Sequence, residues 1–228
     1  MAIRVYRYFR SDYALLALQT KEWKIGRLNQ LNDPYDCFPL ITGRPTTILQ
    51  GPFGIGFLTE MGQQMGVICY SRAIDNPAIW SHYADCHRGI ALGFDYNEGD
   101  GLFKVAYPEN NKRAVITFDE MLAGEQQGRE RLTNIIAKGF TVKASSWAYE
   151  QEYRHFIFFD GCEMKGAHYF RTLPCLKLKE VVLGVNCTIL ESDITHILRK
   201  NSSGTDYYEG VRTLKATLDD DAYKMNTN

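Results

Sequence analysis

Short segments of alternating or continuous apolar character, the pattern of β-strands, recur along the chain. They cover residues 4–9, 23–27, 66–71, 90–95, 103–107, 152–159, 168–171 and 180–185. Helical spacing appears between them, at 13–18 (capped by Ser11 or Asp12), 77–85 (capped by Asn76), 118–138 and 191–200. Because strands and helices do not alternate regularly, we predict an α+β fold with a mostly antiparallel sheet.

Glycine, proline and Asx residues mark the connections between these segments. The sequence Asn-Asp-Pro-Tyr-Asp at 32–36 predicts a turn, and the glycine- and proline-bearing stretch 43–62 suggests a long loop over a cleft. The sequence contains no repeat, low-complexity tract or interdomain linker. We therefore predict a single domain over residues 1–218, followed by a frayed C-terminal tail over residues 219–228.

The composition is that of an ordinary globular protein, with 45% hydrophobic and 23% charged residues in a chain of 228. A formal net charge of −1 excludes a general attraction of the whole protein to nucleic acid, but it does not exclude a local basic surface. No segment has the pattern of a secretory signal or approaches the ~20 apolar residues of a membrane span. The six cysteines are scattered without a Cys-x-x-Cys pair, which predicts reduced thiols. We expect a cytoplasmic protein that has no membrane partner.

The sharpest chemical feature is the carboxylate pair Glu150 and Glu152, followed by Arg154. If the strand begins by Glu150, its two-residue period places all three side chains on one face. Periodicity alone favours a solvated strand face with a Glu–Arg pair, since charged strand faces are common. The alternative is a ligand site, because charges of this density are costly inside a core unless they are paired or serve a ligand.

A second feature is the segment from Trp80 to His87, in which Trp80, Tyr83, Ala84 and His87 share one helical stripe. Such a stripe is either part of the core or an aromatic wall that stacks on a ligand ring. His82, Asp85 and His87 do not fall on a single helical face. We therefore predict no metal site here.

Two further residues complete the candidate set. Arg7 lies between Tyr6 and Tyr8 on the first strand, as an edge residue or as an inward-pointing cation with an anionic partner. Ser71 ends an apolar strand, where a small hydroxyl often caps the next turn. The sequence has no nucleophile elbow, Walker loop, dinucleotide fingerprint or zinc-protease motif.

Several blocks of the sequence together resemble a widespread bacterial family of unknown function. They are Tyr6-Arg7-Tyr8, Leu31-Asn32-Asp33-Pro34-Tyr35-Asp36, Cys69-Tyr70-Ser71, Trp80-Ser81-His82-Tyr83-Ala84, and Trp147 with Tyr149-Glu150-Gln151-Glu152-Tyr153-Arg154. The order of Arg7, Ser71 and the Glu150-x-Glu152 pair is also similar to that of arginine-type ADP-ribosyltransferases. This second resemblance implies a split sheet and NAD as substrate.

The resemblance to ADP-ribosyltransferases also implies roles for the candidate residues. Glu152 would be the catalytic carboxylate at the nicotinamide ribose, and Glu150 would orient or deprotonate the acceptor. Arg7 would meet the pyrophosphate or adenosine ribose, and Ser71 would support the catalytic glutamate. Tyr83 or Trp80 would stack on nicotinamide. We accordingly expect Arg7, Ser71, Tyr83 and Glu152 to line a common cleft.

Three interpretations follow from these residues. The leading one is a mono-ADP-ribosyltransferase that modifies a protein or nucleic-acid acceptor, as a bacterial toxin in phage defence with an antitoxin as a partner. The second is NAD hydrolysis by the same residues, with water as the acceptor. The third is a non-enzymatic nucleic-acid or protein binding module. In that module Tyr6, Tyr8, Trp80 and Tyr83 would stack on bases, and Arg7, Arg72, Arg88 and Arg154 would meet phosphates.

Overall fold

The fold is described from a computed structural model. It describes residues 2–42, 52–97, 101–120, 129–173, 177–201 and 208–227. The helices are α1 (Ser11–Thr20), α2 (Pro52–Gln64), α3 (Pro77–Tyr83), α4 (Arg129–Gly139) and α5 (Glu191–Asn201), with 3₁₀ helices at Leu28–Gln30 and Ser145–Glu150. The strands are β1 (Ile3–Phe9), β2 (Glu22–Arg27), β3 (Leu40–Thr42), β4 (Met65–Ser71), β5 (Ile90–Tyr96), β6 (Leu102–Lys104), β7 (Val115–Thr117), β8 (Glu152–Phe158), β9 (Glu163–Lys165), β10 (His168–Thr172), β11 (Lys177–Leu183), β12 (Arg212–Lys215), β13 (Thr217–Leu218) and β14 (Met225–Asn226).

Ten of these strands form one large sheet. Its main path runs β12-β11-β5-β1-β4-β2-β10-β9, and β8 joins it by pairing with β4 on one side and β6 on the other. Every pairing in this sheet is antiparallel except that of β11 with β12. The prediction of mixed α and β structure around a mostly antiparallel sheet is confirmed.

The sheet opens along one edge of β4. This edge pairs with β1 only where Tyr6 faces Ser71, and with β2 only where Val67 and Gly66 face Gly26 and Arg27. A side chain at Gly66 would place its Cβ 2.3 Å from the Gly26 carbonyl oxygen, so only glycine permits this close approach. Between the two contacts β1 and β2 diverge, and a gap remains beside the middle of β4.

Helices cover both faces of the sheet and bury three apolar clusters. On one face, α1 and α5 contribute Ala14, Leu18, Ile194 and Leu198 to the largest cluster. On the other face, α3 packs Trp80 against β1, β5 and β11, while α2 and α4 cover β4 and β8. The α3 helix begins as predicted, because the Asn76 side chain accepts a hydrogen bond from the Ala78 amide.

The structure corrects several boundaries. Residues 52–62 of the expected loop belong to α2, and residues 43–51 lie outside the described part. The tail is not frayed, because β13 pairs with β14 and Met225 is buried. The helix predicted over 118–138 is confirmed where the structure describes it, because residues 118–120 are helical and α4 covers Arg129–Gly139, while residues 121–128 lie outside the described part. The α1 helix has Arg10 rather than Ser11 or Asp12 at its N-cap.

No helix among the described residues is long and apolar enough to cross a membrane.

Candidate active site

A cavity of about 280 Å³ occupies the gap between β1, β2 and β4. It is lined by five of the six residues that the sequence singled out, namely Arg7, Ser71, Tyr83, Glu150 and Glu152. The expectation of a common cleft is therefore confirmed for these residues, while their roles stay predictions. The resemblance to ADP-ribosyltransferases also predicts that Arg7 and Glu152 project from the same side of the sheet, and this prediction is wrong. Strand alternation points them to opposite faces, since Glu152 pairs with Ser71 and Ser71 with Tyr6. Both border the same cavity because the sheet is open at this point.

Glu152 begins β8 and is held by two cations. Its carboxylate accepts hydrogen bonds from Nε and Nη2 of Arg154 at 2.8 and 2.9 Å, and Nζ of Lys143 lies 3.3 Å away. Burial alone would raise the pKa of this carboxyl group, but Arg154 and Lys143 outweigh it and hold the pKa below its ordinary value. Glu152 is therefore ionised at neutral pH.

Arg154 is the fully buried centre of this arrangement. Besides binding Glu152, it donates to Asp36 Oδ1 at 2.5 Å and to the Phe140 carbonyl oxygen at 2.7 Å. Its guanidinium thereby ties β8 to the turn at 32–36 and to the end of α4. A buried guanidinium with this number of partners has the geometry of a fixed structural cation.

Glu150 lies in a different environment, at the end of the 3₁₀ helix Ser145–Glu150. Its side chain accepts hydrogen bonds from Lys143 Nζ at 2.7 Å and from the Tyr83 hydroxyl at 2.5 Å. Burial raises the pKa of Glu150, and the contacts with Lys143 and Tyr83 offset only part of that rise. The two neighbouring carboxyl groups therefore have pKa values that are shifted in opposite directions.

The predicted strand register around the two glutamates is wrong in one respect. Gln151 adopts a left-handed conformation with φ of 46°, and the strand begins only at Glu152. Glu150 therefore reaches the cavity from a helical turn rather than from a strand face. The solvated charged face is also excluded, because Glu150, Glu152 and Arg154 are all buried.

Ser71 and Tyr83 hold Glu150 in position. The Ser71 hydroxyl donates to the Glu150 carbonyl oxygen at 2.5 Å and accepts from the Ala73 amide at 2.9 Å. The Tyr83 hydroxyl, which donates to the Glu150 carboxylate, itself accepts from the Asn32 side chain at 2.7 Å. Burial and the neighbouring Glu150 raise the pKa of Tyr83, so this phenol stays protonated and continues to donate.

Arg7 stands apart from the acidic residues. Its Nη2 crosses the gap and donates to the Lys24 carbonyl oxygen at 2.7 Å, while Nη1 is buried without a hydrogen-bond partner. No carboxylate within the described ranges forms an ion pair with it, and burial lowers its pKa. The expected anionic partner is thus missing from the described protein, and a cation borders the cavity uncompensated.

Trp80 is not part of the cavity wall. Its side chain is fully buried, its indole nitrogen donates to the Ile74 carbonyl oxygen at 2.7 Å, and its ring packs edge-on against Tyr8. The cofactor-stacking role proposed for it is therefore wrong. The structure also does not bring together the four arginines that the binding-module interpretation assigned to phosphates. Arg154 is buried, and Arg88 pairs with Asp85 on the surface.

Sequence reasoning missed two charged residues of the site. Lys143 lies on the cavity wall within 3.3 Å of Asp36, Glu150 and Glu152, and it follows α4 in a segment without a motif. Asp36 belongs to the Asn-Asp-Pro-Tyr-Asp block, which was interpreted only as a turn. The described residues contain no group of three or more His, Cys, Asp or Glu side chains suited to a metal ion.

Comparison with known proteins adds one partial match. A family model described as "Protein of unknown function (DUF2971)" matches residues 79–155, which include most of α3, the lysine at 143 and both glutamates of the cavity. Neither the curated proteins nor the solved structures gave a match. Part of the chain is therefore similar to a family of unknown function.

Proposed function

We propose that this protein is an NAD-dependent mono-ADP-ribosyltransferase whose acceptor is a protein or a nucleic acid. The observation that carries the proposal is the uneven charge around the cavity. On one side Asp36, Glu150 and Glu152 outnumber the cations Lys143 and Arg154, and on the other Arg7 has no anionic partner. A dinucleotide with a cationic nicotinamide ring and an anionic pyrophosphate matches this arrangement.

Binding would use Arg7 and the size of the cavity. The guanidinium would offer its unpartnered Nη1 donor to a pyrophosphate oxygen, while Nη2 stays bound to the Lys24 carbonyl oxygen. A volume of about 280 Å³ is near the lower end for small-molecule pockets. It accepts the nicotinamide ribose half of NAD, with the adenosine half extending along the open side.

Glu152 would act on the bond between the ribose and nicotinamide. As that bond breaks, its electron pair leaves with neutral nicotinamide, and positive charge develops on the ribose. The lowered pKa of Glu152 keeps its carboxylate ionised, and a fixed anion beside the ribose stabilises the oxocarbenium-like state. Arg154 and Asp36 hold this carboxylate in place and so reduce the reorganisation that the reaction requires.

Glu150 would take the proton from the acceptor. Its raised pKa makes it the more basic of the two carboxylates, and Tyr83 and Lys143 fix its orientation. The acceptor atom forms a bond to the anomeric carbon of ribose while its proton passes to Glu150. The roles predicted from the resemblance thus fit the opposite pKa shifts of the pair.

NAD hydrolysis is the second candidate, because water can replace the acceptor at Glu150 without any other change. Toxicity would follow from either reaction, through depletion of NAD or modification of a cellular target. Expression of the protein alone in bacteria is then expected to slow growth, and an antitoxin would be the partner that relieves it. Equal growth inhibition by wild type and a folded Glu152→Gln variant would exclude catalysis by this residue.

The direct experiment uses NAD that is labelled in its adenosine half. Incubation with wild type and a bacterial extract is expected to transfer label to macromolecules, and Arg7→Gln is expected to require at least tenfold more NAD for the same rate. Lys24→Gln is the control, because Arg7 contacts only the backbone carbonyl of Lys24. The proposal fails if wild type neither transfers label nor releases nicotinamide.

A further inference from the structure

A second cavity of about 220 Å³ adjoins the first and has the opposite electrostatic character. Cations outnumber carboxylates in its lining, which includes Lys112, Arg113 and Lys143 against Asp33, together with the rings of Tyr35 and Phe38. Lys143 is shared with the first cavity. The Nζ of Lys143 lies 2.7 Å from the Glu150 carboxylate. Lys143 thus connects the second cavity to Glu150, which lines the first cavity but not the second.

Arg113 is built into this cavity as an uncompensated planar cation. Its guanidinium carbon lies 5.4 Å from the centre of the Tyr35 ring and 5.2 Å from that of Phe38. One guanidinium nitrogen donates to the Phe38 carbonyl oxygen, whereas Nε is buried without a hydrogen-bond partner. Neither Arg113 nor the adjacent Lys112 forms an ion pair with any residue in the described part of the chain.

Aromatic surface accompanies these cations. The Tyr35 side chain is 66% exposed, although large aromatic rings are usually covered in a monomeric protein. Trp147 lies beside the shared lysine, because its ring is 4.6 Å from the Lys143 ammonium and 6.1 Å from the Tyr149 ring. Lys143 therefore has an aromatic neighbour that lies outside the lining of both cavities.

From this geometry we propose that the second cavity binds single-stranded nucleic acid, with one base stacked on Tyr35 and phosphates at Lys112 and Arg113. Aromatic rings interleaved with cations are the means by which proteins bind single strands without reading their sequence. A peptide acceptor supplies neither regular planar rings nor regular negative charge. That this strand is the acceptor of ADP-ribose rests on the proposed function, whereas its binding does not.

The chain offers a matched control pair outside both cavities. Arg10 lies over the ring of Tyr13 at 5.8 Å, and Tyr13 is 57% exposed, so this pair repeats the chemistry of Arg113 and Tyr35. Arg10 differs in having Asp12 as an ion-pair partner. General attraction of nucleic acid to exposed arginine and tyrosine would affect both pairs equally.

The test is fluorescence anisotropy with labelled single-stranded DNA and RNA of the same mixed sequence, in the absence of NAD. Tyr35→Ala and Arg113→Gln are each expected to weaken binding at least tenfold, whereas Tyr13→Ala and Arg10→Gln change it less than twofold. Arg113→Gln and Lys112→Gln should each lower the salt dependence by about 0.7 in log–log slope. The DNA and RNA arms determine which strand is preferred.

Two results would overturn this proposal: no binding of either strand by wild type, or equal losses in the Tyr35 and Tyr13 variants. Nicotinamide release is measured in the same preparations to separate the two proposals. Release with label transferred only to protein would support the transferase and exclude the bound strand as its acceptor. Binding without any release would leave the surface standing and remove the transferase.

Discussion

Two ionic networks lie on the same sheet, and they differ in what surrounds them. Around Glu180, the side chains of Arg4 and Arg212 and the Tyr6 hydroxyl satisfy the carboxylate, and Arg4 also binds Asp95. This network contains as many cations as carboxylates, and its Arg212 is 67% exposed. Around Glu150 and Glu152, carboxylates outnumber cations, every charged side chain is at most 7% exposed, and a cavity adjoins them.

The difference shows how a binding site is separated from a structural ion pair. The pKa of Glu180 is lowered because its two arginines and Tyr6 outweigh burial, so the group is simply an ionised partner. In the network beside the cavity, the carboxyl group of Glu152 has a lowered pKa and that of Glu150 a raised pKa. Opposite shifts in adjacent groups that face a cavity are typical of acid–base sites.

The largest expected effect is on stability, from Arg154→Met. This change leaves the buried carboxylates Asp36, Glu150 and Glu152 with Lys143 as their one nearby cation. It should lower the free energy of unfolding by about 3–5 kcal/mol. Arg212→Met, in the exposed network, should cost less than about 1 kcal/mol. Urea unfolding of both variants measures the difference. Equal losses would show that the two networks contribute similarly to the free energy of unfolding.

If Arg154→Met alone does not fold, a second variant still tests the cost of the unpaired charge. The double variant Arg154→Met with Glu152→Gln removes the stranded charge as well as the cation. It should unfold at a higher urea concentration than Arg154→Met alone, because an unpaired buried charge is the main cost. A double variant that is less stable than the single one would contradict this account of the core charge.

Glu150 and Glu180, one from each network, should make opposite contributions to the pH dependence of stability. Because the pKa of Glu150 is raised, native protein holds its proton above the unfolded value of about 4.3, and stability falls as pH rises through that window. Because the pKa of Glu180 is lowered, its contribution is present above about 4.3 and is lost as pH falls through the native pKa.

Glutamine variants remove these two titrations one at a time. Relative to wild type, Glu150→Gln should gain stability as pH rises above about 4.3, with a slope of at most about 1.4 kcal/mol per pH unit. Glu180→Gln should gain relative stability as pH falls below that value. Urea midpoints from acidic to neutral pH give both slopes. Slopes of the same sign would be incompatible with the opposite shifts.

A smaller effect is expected from two tyrosine hydroxyls that each donate to a carboxylate. Tyr83→Phe and Tyr6→Phe should each cost about 1 kcal/mol in unfolding free energy. Tyr83→Phe should in addition shift the acidic limb of the pH–rate profile upward, because its hydrogen bond lowers the pKa of Glu150. An equal shift of the acidic limb of the pH–rate profile in Tyr6→Phe and Tyr83→Phe would contradict the assignment of that limb to Glu150.

The sequence predicted what depends on strand periodicity. The strands that carry Arg7, Ser71 and Glu152 were predicted in this way and neighbour one another in the sheet, whereas the common cleft was expected from the resemblance to ADP-ribosyltransferases. Positions that depend on irregular backbone conformation were harder to predict from the sequence. Gln151 takes a left-handed conformation that moves Glu150 out of the strand, and no pattern of apolar residues indicates such a turn.

Other features depend on tertiary packing that the local sequence does not report. Lys143 lies in a segment between α4 and a 3₁₀ helix, and only the fold brings it to the glutamates. Trp80 and Tyr83 share a helical stripe, yet Trp80 enters the core and Tyr83 faces the cavity. The difference in charge between the two cavities likewise could not be predicted from the net charge of −1, because net charge does not report how charges are distributed.

The most direct test of the central claim is release of nicotinamide from NAD by wild type, Glu152→Gln, Glu150→Gln and the control Glu180→Gln, with and without cell extract. The account predicts release by wild type and by Glu180→Gln, and at least a hundredfold loss in Glu152→Gln under both conditions. Glu150→Gln should lose the extract-dependent transfer and keep slow hydrolysis, because water needs less positioning than a specific acceptor. Release that survives in Glu152→Gln but not in Glu150→Gln would contradict the assigned roles, and no release from any protein would contradict the transferase itself.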